Sequence, residues 1–228
     1  MDHPLTVYKS PFPRKRLGGK GDGGYVIIDL SQNYDVLLAC GIGGIFTFED
    51  DFLDIYEIPC YAFDGTVNIF PRTKHNVHWF FKNIEGHNSD KTNNLQGLLE
   101  LYNNVFLKMD IEGSELSFFE SLEEKHLQSI NQMVVEFHWP FSEKHMEMFH
   151  KINTTHVMVH LHGNNNCGMR IYNNTIMPDV FECTYIHKKY FKETPQRNTE
   201  FLPTIYDTPN LAGLPDLRLN FPPYMHLY

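Results

Sequence analysis

Leu37-Leu38-Ala39-Cys40-Gly41-Ile42-Gly43-Gly44 is the stretch on which the fold turns. A short apolar run breaks into glycines, and Phe48, Phe52, Ile55 and Tyr56 then recur at helical spacing, with Thr47, Glu49, Asp50 and Asp51 placed as cap and dipole partners. The pattern predicts a strand, a glycine-rich turn and a helix. Glycines at such a turn let a ligand approach the backbone, and the helix start favours a carboxylate or phosphate.

Outward from this unit, further apolar runs of strand length alternate with segments of helical period. The runs are Val36–Ala39, Cys60–Phe63, Val77–Phe80, Val105–Met109, Met133–Phe137, His156–Leu161 and Val180–Tyr185. Stripes at Leu95, Leu98, Leu99 and Tyr102, at Leu116, Phe119 and Leu122, and at Met146, Phe149 and Ile152 behind Ser142 predict helices between them. This is the signature of an α/β protein: a largely parallel sheet with helices on both faces. From Pro195 onward six of the 13 prolines interrupt every run of helical length. The expected organisation is a domain over residues 1–190 and a loop-rich extension over 191–228, packed on that domain through Phe201, Leu202, Ile205, Tyr206, Leu211, Leu214 and Phe221.

With 19 Lys and Arg against 28 Asp and Glu the chain carries a net charge of −9, which repels a phosphate backbone and argues against a nucleic-acid partner. Arg14-Lys15-Arg16 is the longest basic run. No apolar segment follows the first residues and none is long enough to cross a bilayer, so a cytoplasmic protein without a membrane span is expected. Cys40, Cys60, Cys167 and Cys183 form no C-x-x-C pair and read as free thiols.

Chemistry concentrates at the ends of the predicted strands, where open α/β sheets bind ligands. Asp64 closes the second run about 20 residues beyond the glycines, where a nucleoside ribose needs an acceptor. Phe46 occupies the place of the third glycine of a dinucleotide fingerprint, which weakens a nicotinamide cofactor and favours a nucleoside without a pyrophosphate, S-adenosylmethionine. Lys108-Met-Asp110-Ile-Glu112-Gly113-Ser-Glu115, Glu136-Phe-His138 and His160-Leu-His162-Gly-Asn164-Asn165 end three later runs. Residues two apart on a strand share a face, so Asp110, Glu136, His138 and His162 are expected at one rim. Each also has a plainer reading as a helix cap, an interior histidine or a turn.

Taken together, Arg16-Leu-Gly18, Asp22-Gly-Gly-Tyr25, Cys40-Gly-Ile-Gly43, Phe48-Glu49, Ala62-Phe-Asp64, Lys108-Met-Asp110-Ile-Glu-Gly-Ser-Glu115, Val135-Glu-Phe-His138 and His160-Leu-His-Gly-Asn164-Asn165 resemble the FkbM-type S-adenosylmethionine-dependent methyltransferases. The resemblance implies a class I methyltransferase fold, a Rossmann-like sheet of seven strands with the last antiparallel, and O-methylation of a sugar, a glycan or a glycosylated small molecule. It further implies that Gly41, Ile42 and Gly43 hold the methionine part of the cofactor and Asp64 its ribose. Asp22 to Tyr25 would close over the cofactor, with Phe48 and Asp110 also bordering it. For the acceptor hydroxyl, His138 is the expected base, because imidazole titrates near neutral pH, with Asp110 or Glu136 orienting it. Asp110 as base is the competing assignment. Glu112, His162, Asn164 and Asn165 are expected to meet the substrate, and Trp139, Tyr185 and Tyr206 to offer faces for a sugar. A divalent metal on Asp110, Glu136, His138 and His162 stays open, as does the oligomeric state. The alternatives in other classes are a catalytically silent cofactor-binding module and a nicotinamide-dependent oxidoreductase.

Overall fold

All seven apolar runs become strands of one sheet. The computed structural model describes residues 2–30 and 34–226. In chain order the elements are β1 (Arg14–Leu17), β2 (Tyr25–Ile28), β3 (Val36–Cys40), α1 (Thr47–Tyr56), β4 (Cys60–Phe63), β5 (Val77–Phe80), β6 (Asn83–Ile84), β7 (Thr92–Asn93), α2 (Gln96–Leu101), β8 (Val105–Asp110), α3 (Glu115–Ser121), α4 (Glu124–Gln128), β9 (Ile130–His138), α5 (Glu143–Thr155), β10 (His156–Gly163), β11 (Met169–Tyr172), β12 (Thr175–Pro178) and β13 (Val180–His187). The sheet runs β10-β13-β9-β8-β3-β4-β5, parallel except for β13, which is antiparallel to both neighbours.

Alternation along each strand builds two cores. Val36, Leu38 and Cys40 of β3, with Leu107 and Met109 of β8, face the layer formed by α2 to α5. Leu37 and Ala39, with Phe106 and Val134, face α1 and the β1–β2 hairpin. One face is thus covered mainly by helices. The other is shared between one helix and a hairpin that the sequence does not announce, because Arg14-Lys15-Arg16 reads as a basic run. Those side chains are committed locally: Arg14 pairs with Glu200, Lys15 with Asp29, and Arg16 donates to the carbonyls of Gly19 and Gly21.

Helix α1 departs from expectation at its start. Its N-cap is Phe46, which makes no side-chain cap bond, while Thr47 Oγ1 and Asp51 Oδ2 accept the Gly19 and Gly18 N–H groups. Two residues expected to serve the helix start as cap and dipole partners therefore hold the β1–β2 turn onto it. Glu49 is buried against the sheet, and Ile55, expected on the apolar face, is exposed. Helix α5 opens at Ser142 as expected, with His145 Nδ1 accepting the Ser142 N–H.

Beyond residue 190 the described residues form turns and bends with one isolated bridge, Tyr8 to Arg197. Leu202, Leu219 and Tyr224 enter the core, whereas Phe201, Ile205, Tyr206, Leu211 and Leu214 stand exposed. Those five are removed from the expected packing set. Polar contacts described below take their place. All four cysteines are free. Among the described residues no helix is long and apolar enough to cross a membrane.

Candidate active site

The chain reverses its direction of travel across the sheet between β3 and β8, and the crevice beyond their carboxyl ends is the ligand position of open α/β sheets. Gly41 leaves β3 with φ +72°, and a Cβ there would lie 1.4 Å from the Asp110 carbonyl oxygen. Only glycine lets these two strand ends meet. Next to this contact opens a cavity of about 510 Å³, whose walls include Asp22, Tyr25, Gly41 to Ile45, Phe48, Asp64 and Asp110. Every position expected to border a cofactor therefore lines one space.

Asp64 at the end of β4 anchors the far side. Its Oδ2 accepts the Gly43 N–H at 2.7 Å, and its Oδ1 accepts the Thr66 N–H and Oγ1–H at 2.7 and 2.6 Å. Burial alone would raise its pKa, but these bonds, led by the Thr66 hydroxyl, hold the carboxyl below its usual range. Asp64 thus fixes the glycine turn as well as presenting an acid to the cavity.

On the near side, Tyr25 donates its hydroxyl to Asp110 Oδ2 at 3.1 Å, and its ring stands edge-on to Phe48. Lys108, one strand turn below Asp110, donates to the Gly41 carbonyl at 2.6 Å and so ties β8 to the glycine turn. Asp22 is exposed and its Oδ1 accepts the Gly23 N–H.

Strand register carries a row of ionisable groups across the sheet: Asp110 pairs with Glu136, Glu136 with Glu182, and Glu182 with His162. Glu182 is a member that the sequence reading missed. Its only signal is a lone acid inside the apolar run Val180–Tyr185. Glu136 is buried and accepts a hydrogen bond from Asn164 Nδ2 at 3.0 Å. Burial, then Asp110 and Glu182, push its pKa well above the ordinary carboxylate value.

His138 lies at the end of β9, with Nδ1 2.9 Å from Glu115 Oε1 and Nε2 3.7 Å from Asp110 Oδ1 and 3.5 Å from Glu112 Oε2. Burial opposes its charge, yet the Glu115 carboxylate, helped by Glu136 and Asp110, pushes its pKa up to about 9. Glu115 is itself aimed by the Gly113 N–H at 3.1 Å. Glu112 sits at φ +55° with its side chain 85% exposed. Asp110, Glu112 and His138 each offer one ligand atom, all within 4.8 Å of one another. Of the four residues considered for a metal, Glu136 and His162 do not join this group.

His162 and Asn165 have another task. His162 is buried, with Nε2 3.0 Å from both oxygens of Asp216, and Asn165 donates to the Leu211 and Leu214 carbonyls while accepting the Leu211 N–H. Both grip the C-terminal segment. Asn210 Nδ2 returns from that segment to Glu182 at 2.8 Å, Asp207 meets His160 at 2.8 Å, and Thr208 Oγ1 accepts the Gly21 N–H. Tyr185, expected to offer a sugar face, is fully buried, and the Trp139 ring is covered by the Arg170 guanidinium 4.0 Å from its centroid. Tyr206 is partly exposed.

The sequence model of the family described as Methyltransferase FkbM domain matches residues 45–171, which contain Asp64, the segment from Lys108 to Glu115, Glu136, His138 and the Asn164-Asn165 pair. Among curated proteins, none matches the sequence. With more than half of its length inside that match and a seven-stranded, mostly parallel sheet beneath it, the chain belongs to the FkbM methyltransferase family.

Proposed function

We propose that the protein is an S-adenosylmethionine-dependent O-methyltransferase acting on a hydroxyl of a sugar, a glycan or a glycosylated small molecule. The carrying observation is that a glycine-walled cavity at the β3–β8 junction ends at Asp110, directly beside His138 and its carboxylates. The lining suits a nucleoside cofactor: the glycine turn forms one wall, and Asp64, beyond Gly43, offers a buried acid. In this reading Gly41, Ile42 and Gly43 hold the methionine part, Asp64 meets the ribose, and Asp22, Tyr25 and Phe48 cover it.

The cofactor supplies an activated methyl group, so the protein's tasks are to align the acceptor oxygen and to take its proton. His138 Nε2 takes that proton in its neutral form, with Glu115 fixing the ring and stabilising the imidazolium that results. Asp110, bonded to Tyr25, sets the floor at the methyl end. The acids of this rim, Asp110, Glu112, Glu136 and Glu182, suit a polyhydroxylated, uncharged substrate better than an anionic one. Glu112 and Asn164 border the acceptor. His162 and Asn165 shape the same rim from behind, by holding residues 207–216.

The test is incubation of the purified chain with methyl-labelled S-adenosylmethionine and a panel of neutral glycans, with and without Mn²⁺. Label transfer that His138→Ala abolishes supports the assignment. Transfer that appears only with Mn²⁺, and is lost in Glu112→Gln, would assign Asp110, Glu112 and His138 to a metal and remove His138 as base. A chain that binds S-adenosylhomocysteine but never transfers the label is the silent binding module.

A further inference from the structure

Among the described residues, two buried carboxylate oxygens in the cavity wall make no hydrogen bond, Asp110 Oδ1, which faces His138, and Glu49 Oε1. Glu49 lies on α1 with 1% of its surface exposed, it borders the cavity, and its Oε1 makes no hydrogen bond. The cation facing it, Lys108 Nζ, stands 3.8 Å away, too far for a hydrogen bond, and spends one N–H on the Gly41 carbonyl. A buried carboxylate oxygen without a donor is costly, so the position calls for an N–H group brought in from the cavity. Burial raises the Glu49 pKa, against the pull of Lys108. An incoming cation would favour the ionised form.

Location narrows the ligand. Glu49 and Lys108 stand at the Gly41 end of the glycine turn, whereas Asp64 holds the turn at Gly43, so the two acids address different parts of one molecule. An acid beside a glycine turn also repels the pyrophosphate of a dinucleotide. We infer that Glu49 and Lys108 form a receptor for an α-amino-acid zwitterion, Glu49 accepting from the ammonium and Lys108 facing the carboxylate, and that this pair selects the methionine end of the cofactor. The inference rests on the cofactor reading above, and its test separates the two.

The full chain and Glu49→Gln are titrated calorimetrically with S-adenosylhomocysteine, with its analogue lacking the α-amino group, and with 5′-methylthioadenosine, which lacks the whole amino-acid end. The native chain is expected to bind S-adenosylhomocysteine at least about tenfold more tightly than the des-amino analogue, since a charge-assisted hydrogen bond is lost. Glu49→Gln is expected to erase that preference and leave 5′-methylthioadenosine binding in place. Equal binding of S-adenosylhomocysteine and the des-amino analogue by the native chain overturns the inference without any variant. An equal loss of all three ligands in Glu49→Gln overturns it as well, by making Glu49 a packing residue. If the native chain binds none of the three, the cofactor reading falls and the receptor falls with it.

Discussion

Gly41 tolerates no side chain. Its positive φ and the 1.4 Å approach of a built Cβ to the Asp110 carbonyl predict that Gly41→Ala separates β3 from β8, costing about 2–4 kcal/mol and abolishing cofactor binding. A thermal melt and a titration with S-adenosylhomocysteine check both halves, and a native-like melt with intact binding would contradict the geometry. His138 gives a prediction with a sign. Its pKa is raised from 6.5 to about 9, so its charged contacts stabilise the fold fully below about pH 6.5, and that contribution is lost as pH rises through about 9. Proton removal needs the neutral ring, so kcat/KM is expected to climb with pH toward 9. Glu115→Gln should bring that limb to lower pH. A pH–rate profile unchanged in Glu115→Gln would remove His138 as the titrating base. Asp110 and His138 were legible because each ends an apolar run. Glu182 was not, since a single acid inside Val180–Tyr185 shows its importance only when register sets it opposite Glu136 and His162.

Elements are where the sequence is most and least informative. Central strand β3 is an uninterrupted apolar run, and a strand buried on both faces has no other way to be written. Hairpin β1–β2 has the opposite character, with Arg14, Lys15 and Arg16 each spending their charge on a contact. The grip on the C-terminal segment was illegible for a similar reason. His162 and Asp216 lie 54 residues apart in the chain, and no periodicity connects them. Burial opposes the charge on His162, but Asp216 and Glu182 push its pKa up to about 10, so the pair stabilises the fold below about pH 6.5 and its contribution fades as pH rises toward 10. Asp216→Asn is expected to cost about 2–3 kcal/mol at pH 7, because one partner of a buried pair is lost. It should also expose residues 204–216 to protease. The melt difference should shrink above pH 10, and a difference that is flat with pH would point to packing instead.

At the scale of the whole molecule, we propose that residues 191–228 complete the domain of residues 1–190. Leu202, Leu219 and Tyr224 sit in the same core as the sheet and α5. A chain ended at residue 190 is expected to lose its cooperative thermal transition, and a sharp native-like melt would make the extension dispensable. The same segment does more than fill a core. Thr208 holds the turn that brings Asp22 and Gly23 to the cavity wall, Asn210 holds Glu182 in its row beside Glu136, and one residue separates them. On the function proposed above, one short backbone thus backs both the cofactor cavity and the acceptor rim, and whatever stiffens it for one ligand prepares it for the other. Binding of cofactor and acceptor should therefore be thermodynamically linked, each raising the other's affinity by the same factor. Asn210→Ala should uncouple them, leaving two sites that fill independently.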